Sequence, residues 1–206
     1  MAIAREGLIY VMLPAILAIV LTVVGFWPIA LVFFLLAAFM AFFFRDPNRQ
    51  PPNEPDVIVA PADGRVTRVS PVTDSTEQKA TIVSIFLSPF DVHINRAPIA
   101  GKITNVSFTP GKFLMATKEK ASLVNEQNAL TIEGEKITVV CKQIAGILAR
   151  RIVCWKRAGD SVVLGERFGL IKFSSRTDLL LPATVDVLVS EGARVKGGTT
   201  IIGRIR

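Results

Sequence analysis

The pattern of apolar and polar positions changes character once along this chain. From Leu8 to Phe44 it reads LIYVMLPAILAIVLTVVGFWPIALVFFLLAAFMAFFF, without one charged side chain. A bilayer-spanning helix needs about 20 apolar residues, so a run nearly twice that long predicts two short helices turning at Gly25-Phe26-Trp27-Pro28. The run is too long for the apolar core of a secretory signal, and no small-residue cleavage site with polar sequence after it follows. Next comes RDPNRQPPNEPD, with four prolines in twelve residues and no apolar periodicity, the composition of a stiff linker. Beyond it the apolar runs are short and rich in Val, Ile and Thr: VIVAPADGRVTRVSPV, ATIVSIFLSP, GKITNVSFT, NALTIEGEKITVVCKQI, RRIVCWKRAGDSVV and TVDVLVSEGARVKGGTTIIGRI. They are split by Asp-Gly, Glu-Gly and Gly-Gly and predict strands; no stretch between them keeps a 3.6-residue period. The expected division is a helical hairpin over 1–44, a linker over 45–56, and one mainly β domain over 57–206, long enough to bury a core.

Charge sharpens the picture. The chain has 24 Lys and Arg against 17 Asp and Glu, a formal net charge of +7, and Arg5 and Glu6 are the only charges before Arg45. The basic excess therefore belongs to the part after the hairpin. Arg5 precedes the first helix, and Arg45 with Arg49 follows the second, so the positive-inside tendency puts both ends on the cytoplasmic side of the cell membrane. A spanning hairpin and a shallow re-entrant one both satisfy this, and a hairpin buried in a soluble fold is the plain alternative. Beside an anionic leaflet each well-placed Lys or Arg contributes roughly 1 kcal/mol. No helix-turn-helix, zinc-finger spacing or aromatic RNA-binding motif accompanies the charge, so the expected partner is membrane or acidic lipid and not nucleic acid.

Chemistry has few carriers here. Cys141 and Cys154 lie in apolar strand-like runs and read as free thiols in a reducing compartment; without a nearby histidine they make no zinc site, and no metal is expected. The single histidine, His93, sits in SPFDVHINRAPIAG, an irregular segment at a strand end, where a structural role competes with acid-base work. Asp63 in APADGRV has an equally plain reading as a hairpin turn. Ser174 and Ser175 in LIKFSSRTDLLLP are, on their own, strand polar groups.

Taken in order, FFFRDPNRQPP, APADGRV, SPFDVHINRAPIAG, TPGKF with VNEQNALTIEG, and RFGLIKFSSRTDLLLP resemble the short-type phosphatidylserine decarboxylase family, including relatives acting on archaetidylserine. The resemblance spans essentially the whole chain. It implies a proenzyme that cuts its own backbone before Ser175, giving a large chain of 1–174 and a small one of 175–206. The Ser175 hydroxyl would attack the carbonyl of residue 174, turning an amide into an ester. Elimination and hydrolysis would leave a covalent pyruvoyl group, an electron sink that does the work pyridoxal phosphate does elsewhere. The resemblance makes His93 the proton donor in decarboxylation and Asp63 the acid that assists self-cleavage. It implies a lipoyl-like, barrel-sandwich-hybrid core, with VSEGARVKGGTTIIGRI as a lipoyl-type hairpin, and assembly as a homodimer. Phe113, Asn125, Glu126 and Arg96 become candidate substrate-binding residues: Lys112-Phe113-Leu114-Met115 offers an apolar tip with a basic shoulder to a lipid interface, and Asn125-Glu126 matches an Asn-Glu-Arg signature.

There are departures. Gln127 stands where that signature has Arg, and Arg96 where longer members carry a second histidine. Ser174 occupies a family glycine, and a residue with a Cβ resists the strained backbone such a bond favours. A membrane-anchored, lipoyl-like adaptor of an export assembly is the non-enzymatic alternative, although it lacks the usual coiled-coil heptads. Ser174 is expected to slow or block self-cleavage, so the intact mass of the purified protein should be that of one chain; two chains split between 174 and 175 would contradict this.

Overall fold

The computed structural model describes residues 2–73, 79–115, 121–147, 151–173 and 175–206, in two compact units, 1–48 and 49–206. The first unit is a helical hairpin: β1 (Ala2–Ile3), a 3-10 turn (Arg5–Gly7), α1 (Leu8–Val23), α2 (Trp27–Phe43) and β2 (Arg45–Asp46). Gly25 makes the turn at φ +86°, a left-handed conformation that suits glycine, and Pro28 sits in the first turn of α2, where a missing N–H costs nothing. β1 pairs with β2, joining Ile3 to Arg45, so both ends of the hairpin meet. Ala18, Ala30 and Ala37 are buried, while large residues point outward, Leu13 at 69%, Val32 at 62% and Phe34 at 64% exposure. A soluble amphipathic pair buries its large apolar side chains instead. Arg5–Val23 is long and apolar enough to cross a membrane, with mean hydropathy 2.2; α2, with 17 residues, reaches only about 26 Å at 1.5 Å per residue.

The second unit is mainly β. In chain order it contains β3 (Val57–Val59), β4 (Gly64–Thr73), β5 (Lys79–Leu87), β6 (Ile94–Arg96), β7 (Gly101–Thr109), the short α3 (Ala121–Val124), β8 (Gln127–Glu133) and β9 (Thr138–Ala145). There follow β10 (Ile152–Cys154), β11 (Ser161–Val162), β12 (Arg167–Ile171), β13 (Ser175–Pro182), β14 (Val185–Val187), β15 (Arg194–Val195) and β16 (Ile201–Ile205). Eight strands form one sheet in the order β11-β7-β8-β9-β13-β5-β4-β15, flanked by the three-stranded sheets β10-β12-β6 and β14-β16-β3. The apolar face of the large sheet, with Ile85, Leu130, Val139 and Leu179, packs with Phe168 of β12 and Ile58 and Ile202 of the third sheet into one core.

Most predicted strands fall where the alternation put them: GKITNVSFT is β7, and NALTIEGEKITVV lies in the β8–β9 hairpin that turns after Glu133. Two features differ. Asp63-Gly64 is no hairpin turn, because β3 pairs with β16 and β4 with β5, so the dipeptide carries the chain from one sheet to another. Four residues, Ala121–Val124, form a helix too short to leave a periodic signature. Both cysteines are free, and burial pushes the Cys141 thiol far above its ordinary pKa.

Across the inward face of the large sheet the side chains form rows, because strand residues alternate faces. Val83, Leu179, Cys141 and Leu130 make an apolar row; the next, toward one sheet end, is Ile85, Thr177, Gln143 and Asn128; the last is Leu87, Ser175 and Ala145. Gly169 on β12 faces this polar row. A Cβ there would collide with the Val153 carbonyl and stand 2.8 Å from Gln143 Nε2. Gly169→Ala is expected to lower stability by about 1 to 3 kcal/mol through overpacking, read as a fall in the denaturation midpoint.

Candidate active site

Ser175 opens β13, and both its sides are already taken by strand pairing, with Leu87 on β5 and Ala145 on β9. Its side chain is fully buried, and its hydroxyl has no hydrogen-bond partner among the described residues. Leaving such a group unsatisfied costs about 1 to 3 kcal/mol, so it calls for an explanation. Just upstream, Phe173 holds φ +62°, a left-handed conformation rare for a bulky residue and costing about 1 to 3 kcal/mol. Ser174, which stands in the family's glycine place, lies outside the described residues.

His93 is brought to the same corner by topology. β5 pairs with β13 in the large sheet, and β6 pairs with β12 in the small one. Two short connections cross between the sheets side by side: 88–93 leads from β5 to β6, and 172–174 leads from β12 to β13. His93 closes the first, its carbonyl accepting from Ile171 N–H at 3.3 Å, and Ser175 ends the second. Two residues into each departing strand, Asn95 Nδ2 donates to Thr177 Oγ1 at 3.1 Å. With a period of two, His93 and Ser175 lie on the faces of β6 and β13 that carry this contact, one step nearer the corner.

The imidazole is oriented. His93 Nδ1 lies 3.0 Å from the Asp91 carbonyl, which can only accept, so Nδ1 carries a proton and that bond fixes the ring's orientation. Asp91 is itself fixed, since its Oδ2 accepts from Ser88 N–H at 2.8 Å and from Ser88 Oγ at 2.7 Å. Sequence reasoning takes Asp91, with Pro89 and Pro98, only as the mark of an irregular segment and not as the residue that orients the ring; in Ser88-Pro89-Phe90-Asp91, a serine and an aspartate three apart are the signal for this turn.

Asp63 lies beside the same end of the large sheet. Arg65 pairs with Phe86, whose other neighbour is Arg176, so the backbone near Asp63 runs two strand spacings from β13, about 10 Å. Its carboxylate is held by Arg49 in a bidentate ion pair, Nη1 to Oδ1 and Nη2 to Oδ2 at 2.7 Å, and Gly197 N–H donates to Oδ1 at 2.8 Å. Arg49 returns through Nη1 to the Gly197 carbonyl at 2.6 Å. In sequence Arg49 counts only as a basic residue after the hairpin; here it is the partner of a candidate site residue.

The candidate substrate-binding residues divide. Asn125 is buried and its amide is fully engaged: Oδ1 accepts from Leu114 N–H at 2.9 Å, and Nδ2 donates to the carbonyls of Leu114 at 2.9 Å and Ala145 at 2.7 Å. It thereby ties the loop carrying Phe113, 37% exposed, and Met115, 51% exposed, to the strand beside Ser175. Glu126 follows it, its carbonyl accepting from Ala145 N–H at 2.9 Å, and desolvation raises its carboxyl pKa above the ordinary value. Arg96 is buried on β6, with Nη1 donating to the Gly165 carbonyl at 2.9 Å. The other face of β13 holds a buried pair, Arg176 with Asp178, joined by Ser122 Oγ of α3 at 2.9 Å from Asp178 Oδ2. Among the described residues no His, Cys, Asp and Glu side chains cluster as metal ligands.

A mainly β domain with an uncommitted buried serine, a strained residue upstream and an oriented imidazole at one sheet corner has the parts of a self-processing hydroxyl site. The phosphatidylserine decarboxylase family model matches residues 36–203, and the chain belongs to that family. It is similar to the phosphatidylserine decarboxylase proenzymes of Chlorobium chlorochromatii, 49% identical over 84% of this chain and 81% of that protein, and of Carboxydothermus hydrogenoformans, 45% identical over 98% and 96%. That of Nitratidesulfovibrio vulgaris is 46% identical over 98% and 94%. The adaptor alternative finds no support in these relatives.

Removing the guanidinium by Arg49→Ala leaves the Asp63 carboxylate without its bidentate partner and is expected to cost about 1 to 3 kcal/mol; urea unfolding midpoints of Arg49→Ala and the parent protein check it.

Proposed function

We propose that this protein is a proenzyme of the kind that cuts itself before Ser175 and then decarboxylates phosphatidylserine at a membrane surface, with Ser174 in the glycine place slowing or blocking the cut. The observation that carries the reading is the buried, uncommitted Ser175 hydroxyl at the corner shared with His93. Nε2 of His93 takes the Ser175 proton as the hydroxyl attacks the carbonyl of residue 174. The amide nitrogen of Ser175 leaves as an amine when the ester forms, and it takes up a proton from the imidazolium. Phe173 supplies strain that the cut releases. Asp63, fixed by Arg49 and Gly197 N–H at the same end of the large sheet, assists the cut by orienting the attacking group.

The residues present suit a covalent group at position 175. Strand pairing with Leu87 and Ala145 holds that position on both sides after the chain is cut, in apolar surroundings that exclude water. A pyruvoyl group formed there supplies an electron sink for decarboxylation. His93 remains oriented through Nδ1 and delivers a proton from Nε2, a role worth about 10² to 10⁴ in rate.

The membrane part of the proposal rests on the outward-facing apolar side chains of the hairpin and on the joined ends of β1 and β2, which favour a hairpin with both ends on one side, the cytoplasmic one. The exposed Phe113 and Met115, on a loop clamped by Asn125, suit contact with acyl chains. A barrel-sandwich-hybrid core is supported by the large sheet and the β14-β16-β3 sheet sharing one core.

In chains carrying Ser174→Gly, Ser175→Ala is expected to stay one chain and to release no carbon dioxide from phosphatidylserine vesicles, while His93→Ala should cut and turn over about 10² to 10⁴ times more slowly. Ser174→Gly should yield a small fragment from residue 175 that is blocked to N-terminal sequencing. Carbon dioxide release by the Ser175→Ala protein would overturn the reading.

A further inference from the structure

The polar row behind Ser175 is a chain of side chains with one direction. Asn128 Nδ2 donates to Gln143 Oε1 at 2.9 Å, Gln143 Nε2 to Asn95 Oδ1 at 2.9 Å, and Asn95 Nδ2 to Thr177 Oγ1 at 3.1 Å. All four residues are buried. A polar row in a core is expensive unless every member is satisfied, and apolar side chains of similar volume would pack here with less risk. Three of the four lie on adjacent strands of the large sheet, at paired positions of β8, β9 and β13. Only Asn95 comes from the small sheet, so Asn95 to Thr177 is where the row leaves one sheet for the other. That bond lies two residues from His93, which immediately precedes β6, and two from Ser175 on β13. Gly169, opposite Asn95 on β12, admits Gln143 Nε2 to the row.

We propose that Asn95 and Thr177 are positioning residues: their bond sets the separation of the two strands that carry His93 and Ser175, and so holds the imidazole within reach of the Ser175 hydroxyl. The inference rests on the proposed roles of His93 and Ser175. An error of about 1 Å in such a placement costs on the order of 10²-fold in rate, and van der Waals packing alone leaves that much freedom where two sheets diverge. A directional bond with buried ends removes it. Because the amides of the row donate in sequence, Thr177 must accept from Asn95, and a side chain without an oxygen at that position breaks the row at its last member.

The test uses full-length chains carrying Ser174→Gly, with cutting followed by intact mass and turnover by carbon dioxide release. Thr177→Val keeps the shape and removes the oxygen; Thr177→Ser keeps the oxygen. Thr177→Val also leaves the buried Asn95 Nδ2 without its acceptor and lowers stability, so a merely structural role makes the cutting rates of the two chains follow their thermal midpoints. A positioning role separates rate from stability: Thr177→Val is expected to cut about tenfold or more slowly than its midpoint accounts for, with Thr177→Ser close to the parent. In the processed protein the loss should fall on kcat and leave KM unchanged. Adding Asn95→Ala to Thr177→Val should cost little more than the slower single change, since both break one bond. Parental cutting by Thr177→Val, or rates that follow the thermal midpoints, would overturn the proposal. If His93→Ala or Ser175→Ala still cuts at the parental rate, it is the underlying function that fails.

Discussion

The site depends on how β13 is held. Its first residue is hydrogen-bonded into an antiparallel ladder on each edge, against β5 over Ser175 to Pro182 and against β9 over Ser175 to Leu180. Central strands of this kind resist fraying, since opening one residue breaks bonds to two neighbours. The bond proposed to break therefore lies at the very start of a rigid strand. Downstream geometry is fixed by the sheet; upstream, Phe173 absorbs the turn in a left-handed conformation. That asymmetry explains how a cut there need not disturb the fold: position 175 stays in its ladder, and the strained side is released.

The second requirement of the proposal is an imidazole at that boundary, and a repeat of the same pairing one sheet over supports it. β6 and β12 are antiparallel partners just as β5 and β13 are, so both connections between the sheets cross at one place. The Asp91 turn orients the ring, and the Arg49 ion pair fixes Asp63 at the same end of the large sheet. The carboxylates of Asp63 and Asp91 are both hydrogen-bonded here, as expected where buried polar groups would otherwise be costly.

Much of this was legible in the residues. The charge-free run from Leu8 to Phe44, the alternation in β5, β7 and β13, and the Glu133-Gly134 hairpin are local patterns, and local patterns survive folding. His93 and Ser175 were identifiable because one chain offers one histidine and because the flanking motifs occur in family order. Asp63-Gly64 misled, since a turn dipeptide states that the backbone bends and not which strands it joins. Arg49 and the Asn95-Thr177 bond were hidden for a different reason. Arg49 is 14 residues from Asp63, and Asn95 is 82 from Thr177; such partners are chosen by strand order, which no local period encodes.

The meeting of His93 and Ser175 at one corner is the claim on which the rest stands. An experimental structure of the uncut Ser175→Ala protein measures it directly, as the distance from His93 Nε2 to the Cβ of residue 175. A value of about 5 Å or less, the reach of a hydroxyl hydrogen-bonded to the ring, is the predicted result. A separation beyond about 10 Å, too far for proton transfer even through one water, would contradict the account.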